Sequence, residues 1–185
     1  MKVPSYLRGF VIINTTSSCI FSLRDAANKQ NKKIGGLLFT QTYIILFKMS
    51  KETNIAAQQK FGEAVNTGNY ELFKDLVAEN NIDHDPAPDQ AQGSEGYAAF
   101  FGIMRKAFPD IKLAVEQLSA DHDTVSLAYR VTGTQDGEFM GFAPSGKSIN
   151  IRGMQISKFK DGKMVERWGS SDELGILKQI GAIEA

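Results

Sequence analysis

Apolar residues recur at one period through the first part of the chain and at another through the second. Ala57, Phe61, Ala64 and Val65 fall at the i, i+4, i+7, i+8 spacing of an amphipathic helix. This predicts a helix from Lys51 to Asn66, stopped by Thr67-Gly68-Asn69. Tyr70–Glu79 predicts a short second helix with Leu72, Phe73, Leu76 and Val77 inward, and Asn80–Gln92 reads as irregular. Ser94 suits the N-cap of a third helix, whose apolar face is Tyr97, Phe100, Phe101, Met104, Ala107 and Phe108 and whose end is Pro109-Asp110.

Beyond Pro109-Asp110 the period falls to 2. Ile111–Ala120 alternates, Asp121-His122-Asp123 turns, and Thr124–Thr134 reads as a long strand. Gln135–Lys147 is a Gly-rich crossing loop with Phe139, Met140 and Phe142 as apolar anchors. Ser148–Lys160 and Lys163–Ser170 are strands joined by a tight Asp161-Gly162 turn, and Ser171–Ile180 closes the chain as a helix. Helices first and strands after argue for an α+β fold. We expect a cone-shaped α+β barrel, its curved antiparallel sheet wrapped around the N-terminal helices and enclosing a small, mostly apolar molecule. Gly153 is a candidate for the bend in that sheet.

Charge divides the chain differently. Residues 1–48 hold Lys2, Arg8, Arg24, Lys29, Lys32, Lys33 and Lys48 against the single acid Asp25, whereas residues 49–185 hold 14 basic and 20 acidic side chains. The acidic part has no electrostatic reason to bind nucleic acid. The apolar run at 35–47 is too short and too polar for a transmembrane helix, which needs roughly 20 apolar residues. It also lies too late, with no small-residue cleavage site, for a secretory signal. Residues 1–48 therefore read as a basic leader outside the fold, either upstream sequence read through before Met49 or an N-terminal membrane or export segment; residues 49–185 read as the domain. Cys19, the only cysteine, lies in the leader, so the domain has no disulfide and no thiol nucleophile, as fits a cytoplasmic protein. His84 and His122 are far apart with no matching carboxylate spacing, so no metal site is expected. Gly133-Thr-Gln-Asp-Gly137 has the wrong pattern for a phosphate-binding loop.

Five segments, in order, resemble one family. Phe101-Gly-Ile-Met-Arg-Lys-Ala-Phe-Pro-Asp110 is similar to the third helix of SnoaL-like polyketide cyclases, also called ester cyclases. Gly133-Thr-Gln-Asp-Gly-Glu-Phe-Met-Gly141, Pro144-Ser-Gly-Lys147, Asp161-Gly-Lys-Met-Val-Glu-Arg-Trp168 and Asp172-Glu-Leu-Gly-Ile-Leu-Lys-Gln-Ile-Gly181 continue the likeness. The resemblance implies the nuclear transport factor 2-like cone, a homodimer, and closure of a polyketide-like ring by intramolecular aldol condensation without cofactor or metal. It places the proton-moving aspartate at Asp172. In the family the glycine-threonine at the strand end is often followed by histidine; Gln135 stands there instead.

Aldol closure needs a base for a carbon flanked by carbonyls and then an acid for the new alkoxide. One carboxyl group in an apolar pocket can serve as both. Asp172 is the candidate, although an aspartate before a helix also serves as an N-cap. His84, in Asp83-His84-Asp85-Pro86, is the second catalytic candidate, orienting a carbonyl or the aspartate, unless it is a loop histidine paired with its acidic neighbours. Gln155 shares a strand face with Ile151, Gly153, Ser157 and Phe159, and a polar residue on such a face seeks a partner. Arg130 would hold a substrate carboxylate or enolate, or pair with Glu166. Trp168, Phe101, Met104 and Phe142 are candidates for the cavity lining. Two functions stay open: a cyclase- or isomerase-type enzyme, and the same cone as a non-catalytic ligand-binding or dimerisation module. An enclosed Asp172 favours the first and an exposed one the second.

Overall fold

A computed structural model of the chain describes residues 51–184; the leader assigned to residues 1–48 lies outside the described residues. Helix α1 spans residues 51–67 and buries Asn54, Ala57, Gln58, Phe61, Ala64 and Val65, one face at the expected helical spacing. Its last carbonyls, of Val65 and Asn66, accept from the Arg105 guanidinium. The Asn66 side chain bonds the Leu113 N–H (2.7 Å) and C=O (2.9 Å).

Residues 70–83 depart from the expected helix. A 3₁₀ turn, Tyr70–Leu72, and one turn of helix, α2 (Phe73–Leu76), lead directly into strand β1 (Val77–Asp83). The Leu72, Phe73, Leu76, Val77 pattern is helical, and Ala-Glu-Asn-Asn is poor in strand formers. What makes β1 a strand is tertiary: it lies parallel to the last strand. Helix α3 (Gly93–Ala107) starts without a side-chain cap, so Ser94 does not serve as one. The other strands are β2 (Lys112–Asp121), β3 (Thr124–Thr134), β4 (Ser148–Lys160) and β5 (Lys163–Ser171); α4 (Glu173–Ile180) follows.

The sheet order is β1-β5-β4-β3-β2, antiparallel except for β1 with β5. It is therefore a mixed, curved, unclosed five-stranded sheet, not a purely antiparallel meander. Asp161 (φ 53°) and Gly162 (φ 78°) make the two-residue turn between β4 and β5.

Two core clusters hold helices against the inner face of the sheet. One gathers Phe61, Phe73, Tyr97, Val125, Phe159 and Met164, with the Phe61 and Phe73 rings 4.6 Å apart. The other gathers Met104, Phe108, Phe139, Ile149, Ile151, Ile176 and Ile180. Among the described residues no helix is long and apolar enough to cross a membrane.

Of the three expected loop anchors, only Phe139 is buried; Met140 is 60% and Phe142 38% exposed. The loop is organised instead by Gln135, which is fully buried. Its Nε2 donates to the carbonyls of Gly137, Phe142 and Ala143 (3.2 Å each), and its Oε1 accepts from the Ser145 hydroxyl at 2.7 Å.

Candidate functional site

Strand alternation determines which side chains face the helices. Along β4 every second residue is buried: Ile149, Ile151, Gly153, Gln155, Ser157 and Phe159. The ladders extend this set into rows: Val131 with Ile151, Tyr129 with Gly153 and Ser171, Leu127 with Gln155 and Gly169, and Val125 with Ser157, Arg167 and Asp83. The expected face of Ile151, Gly153, Gln155, Ser157 and Phe159 is thus the inner one.

Gly153 makes no bulge: pairing of β3 with β4 runs unbroken past it. It makes room for Tyr129, since a Cβ there would stand 2.4 Å from the Tyr129 ring. Irregularities fall elsewhere, at Glu116 in β2 and Val165 in β5.

The Val165 bulge decides the chemistry of the site. Lys160 pairs with Lys163 and Phe159 with Met164, after which the register slips so that Lys158 meets Glu166 and Ser157 meets Arg167. A regular hairpin would have put Glu166 and Trp168 inside; one extra residue puts Arg167 and Gly169 there. Trp168 is therefore outside, against Ile156, with Lys158 Nζ 5.1 Å above its ring and the His84 ring stacked on it at 4.4 Å and 6°. Arg130 is also outside, because Tyr129 and Val131 point in. It pairs with Glu116 (2.7 Å) and bonds Asn150 (2.7 Å); Glu166 pairs with Lys158 (2.8 Å).

Within the apolar inner face lies a connected polar group. Arg167 Nη1 donates to both Asp83 oxygens, at 2.8 and 3.0 Å, and Nε to Gln155 Oε1 at 3.2 Å. The two side chains are only 16% and 9% exposed. Gln155 Nε2 donates to Ser157 Oγ (2.7 Å) and, at 3.4 Å, to Gln58 on α1. The Tyr97 hydroxyl, from α3, donates to Asp83 Oδ2 (2.9 Å) and Asn81 Oδ1 (3.2 Å). Burial, with the Asp83 carboxylate beside it, pushes the Tyr97 phenol far up, so it stays a donor throughout the working pH range. Asn81, Asp83, Gln90 and Tyr97 line a cavity of about 180 Å³ between β1 and α3. Towards the other core cluster, Tyr129 Oη lies 2.8 Å from Ser171 Oγ.

Asp172 ends this wall. It is exposed, and its Oδ1 caps α4 by accepting the Gly175 N–H at 2.7 Å. His84 is exposed on the outer side, and no hydrogen bond joins it to Asp172. The expected pairing of His84 with its acidic neighbours is absent too. Asp83 serves Arg167, and Asp85 Oδ2 accepts the Gly169 N–H at 2.9 Å. Phe101 and Met104 belong to the two core clusters. The structure thus gathers Gln155 with Arg167, Asp83, Tyr97, Gln58 and Ser157, and sets Trp168, Arg130 and His84 on the opposite face. Sequence reasoning missed Arg167 and Asp83 as site residues. The alternating burial of β4 pointed to Gln155, but nothing local announces a bulge. Among the described residues no three His, Cys, Asp or Glu side chains converge as metal ligands.

Known proteins share this architecture. A Bacillus cereus protein named as a polyketide cyclase is 31% identical with a TM-score of 0.63, the match covering 71% of this chain and 82% of that one. AclR of Streptomyces galilaeus, named as a hydroxylase, is 26% identical with a TM-score of 0.64, over 74% of this chain and 85% of its own. TsrD of Streptomyces laurentii, at 23% identity, shares the fold with a TM-score of 0.66, over 71% of this chain and 97% of its own. No curated protein sequence matches. The model of the SnoaL-like polyketide cyclases matches residues 55–180, and the chain belongs to that family.

Proposed function

We propose that this domain is a cofactor-independent enzyme of the cyclase or isomerase type, acting by acid/base chemistry on a small polyketide-like molecule held against the inner face of the sheet. The observation that carries the reading is the polar group of Arg167, Asp83, Gln155 and Tyr97 set within an otherwise apolar wall. Small-molecule sites combine such walls with a few fixed polar groups. Asp172 is the proton carrier in this reading. Its Oδ1 is committed to the cap, which fixes the carboxylate and leaves Oδ2 for a substrate proton. The Tyr129–Ser171 hydroxyl pair, one residue away, spends one proton on its own bond and has one left for the carbonyl oxygen as it gains charge.

Exposure of Asp172 favours a second reading, in which the cone binds its ligand without turnover. Wild type and Asp172→Asn, offered a β-keto ester able to close by aldol addition, separate the two. The enzyme reading expects both to bind and only wild type to form the ring. Binding by both with no product from either would establish the binding module.

The proposal includes a homodimer in the cytoplasm. Met154 (66% exposed) and Ile156 (47%) form an apolar strip beside Trp168 on the outer face, which a second copy would cover.

A further inference from the structure

We infer that Arg167 Nη2 is a receiving point for a neutral carbonyl oxygen of the ligand. This rests on the reading that the inner face holds the substrate, and names the chemistry of one point on it.

A guanidinium offers five N–H donors in a rigid plane. In Arg167, Nη1 is held by Asp83 and Nε by Gln155, so the plane is fixed from two sides. Nη2 has no hydrogen-bond partner among the described residues. Nη2 is not sealed from solvent, so a ligand oxygen would take the place of water on a donor whose direction is already fixed. Nη2 lies over Gly169, where any Cβ would stand 2.1 Å from it. The glycine therefore lets the guanidinium lie flat on the strand.

The class of ligand atom follows from charge. Asp83 already balances Arg167, so the pair is neutral as a unit. A second carboxylate at Nη2 would meet the Asp83 carboxylate nearby, and like charges oppose each other. A ketone, ester or amide oxygen meets no such opposition and still gains a hydrogen bond from a charged donor, the stronger kind. Val125 and Phe159 in the neighbouring core cluster favour an apolar body behind that oxygen.

The test uses the whole chain and three probes of one shape: 2-acetylnaphthalene, 2-ethylnaphthalene and 2-naphthoate. Calorimetry on wild type should find the ketone bound about tenfold more tightly than the hydrocarbon, and more tightly than the carboxylate. In Arg167→Lys, which keeps a cation for Asp83 but has no Nη2, the ketone preference should vanish while hydrocarbon affinity holds. The ¹³C-carbonyl resonance of the labelled ketone should move downfield on binding to wild type, a readout independent of how well the variant folds. Equal affinity of wild type for ketone and hydrocarbon would overturn the inference and leave the inner-face reading standing. A ketone preference that survives in Arg167→Lys, or tighter binding of the naphthoate, would also overturn it. Failure of all three probes to bind would overturn the inner-face reading and this inference together.

Discussion

Removing either partner of the Asp83–Arg167 pair should cost far more than removing both. Nη1 reaches both carboxylate oxygens, and the side chains are 9% and 16% exposed, so each charge balances the other largely out of water, although Asp83 also accepts from Tyr97, Gln90 and the Asp85 N–H. Breaking a buried pair from one side costs about 3–5 kcal/mol. Arg167 keeps some exposure and its bond to Gln155, and Tyr97 keeps Asn81, which favours the lower end of that range. Asp83→Leu should therefore lose about 3 kcal/mol, as should Arg167→Met. Replacing both with apolar residues removes the stranded charge, and such replacements are often close to neutral. The double variant should lie within about 1.5 kcal/mol of wild type, giving a coupling energy of several kcal/mol. Urea unfolding of the four proteins measures this, with unchanged m-values as the check on two-state behaviour. If either single variant costs under about 1 kcal/mol, or the double costs the sum of the singles, the pair is not the buried, mutually dependent unit described.

Alkaline stability should depend on Tyr97. Its phenol is pushed up in the fold, so above pH of about 10 the unfolded chain loses a proton that the folded chain keeps. Stability then falls as pH rises through that range, and Tyr97→Phe should show a shallower fall from pH 9 to 11 in thermal melts; parallel slopes would refute the assignment. Ile156→Lys places a charge on the exposed outer strip and should yield monomers in sedimentation velocity while wild type sediments as a dimer. A dimer unaffected by this change would place the contact elsewhere.

Most of the architecture was legible because it follows from period. β3 and β4 begin and end where alternation predicts, and α1 buries the face its spacing marks. β1 was not, because Ala-Glu-Asn-Asn makes up most of it, so it is held by its neighbour β5 more than by its own propensity. The site was half legible for a related reason. Gln155 sits in an unbroken ladder, so its side was readable; Arg167 and Trp168 sit beyond a bulge, and one inserted residue exchanges their faces. Arg130 was misjudged by the same rule of alternation, since Tyr129 and Val131 beside it already occupy the inside. Gln135 is a loop organiser whose polar atoms are all engaged.

The central claim is that the ligand lies against the inner face, and methyl NMR tests it most directly. With Ile, Leu, Val and Met methyls labelled, a bound β-keto ester or 2-acetylnaphthalene should shift Leu127, Val131 and Ile151, which face inward, and leave Met154 and Ile156 unmoved. Shifts confined to Met154 and Ile156 would place the ligand on the outer face and contradict the account.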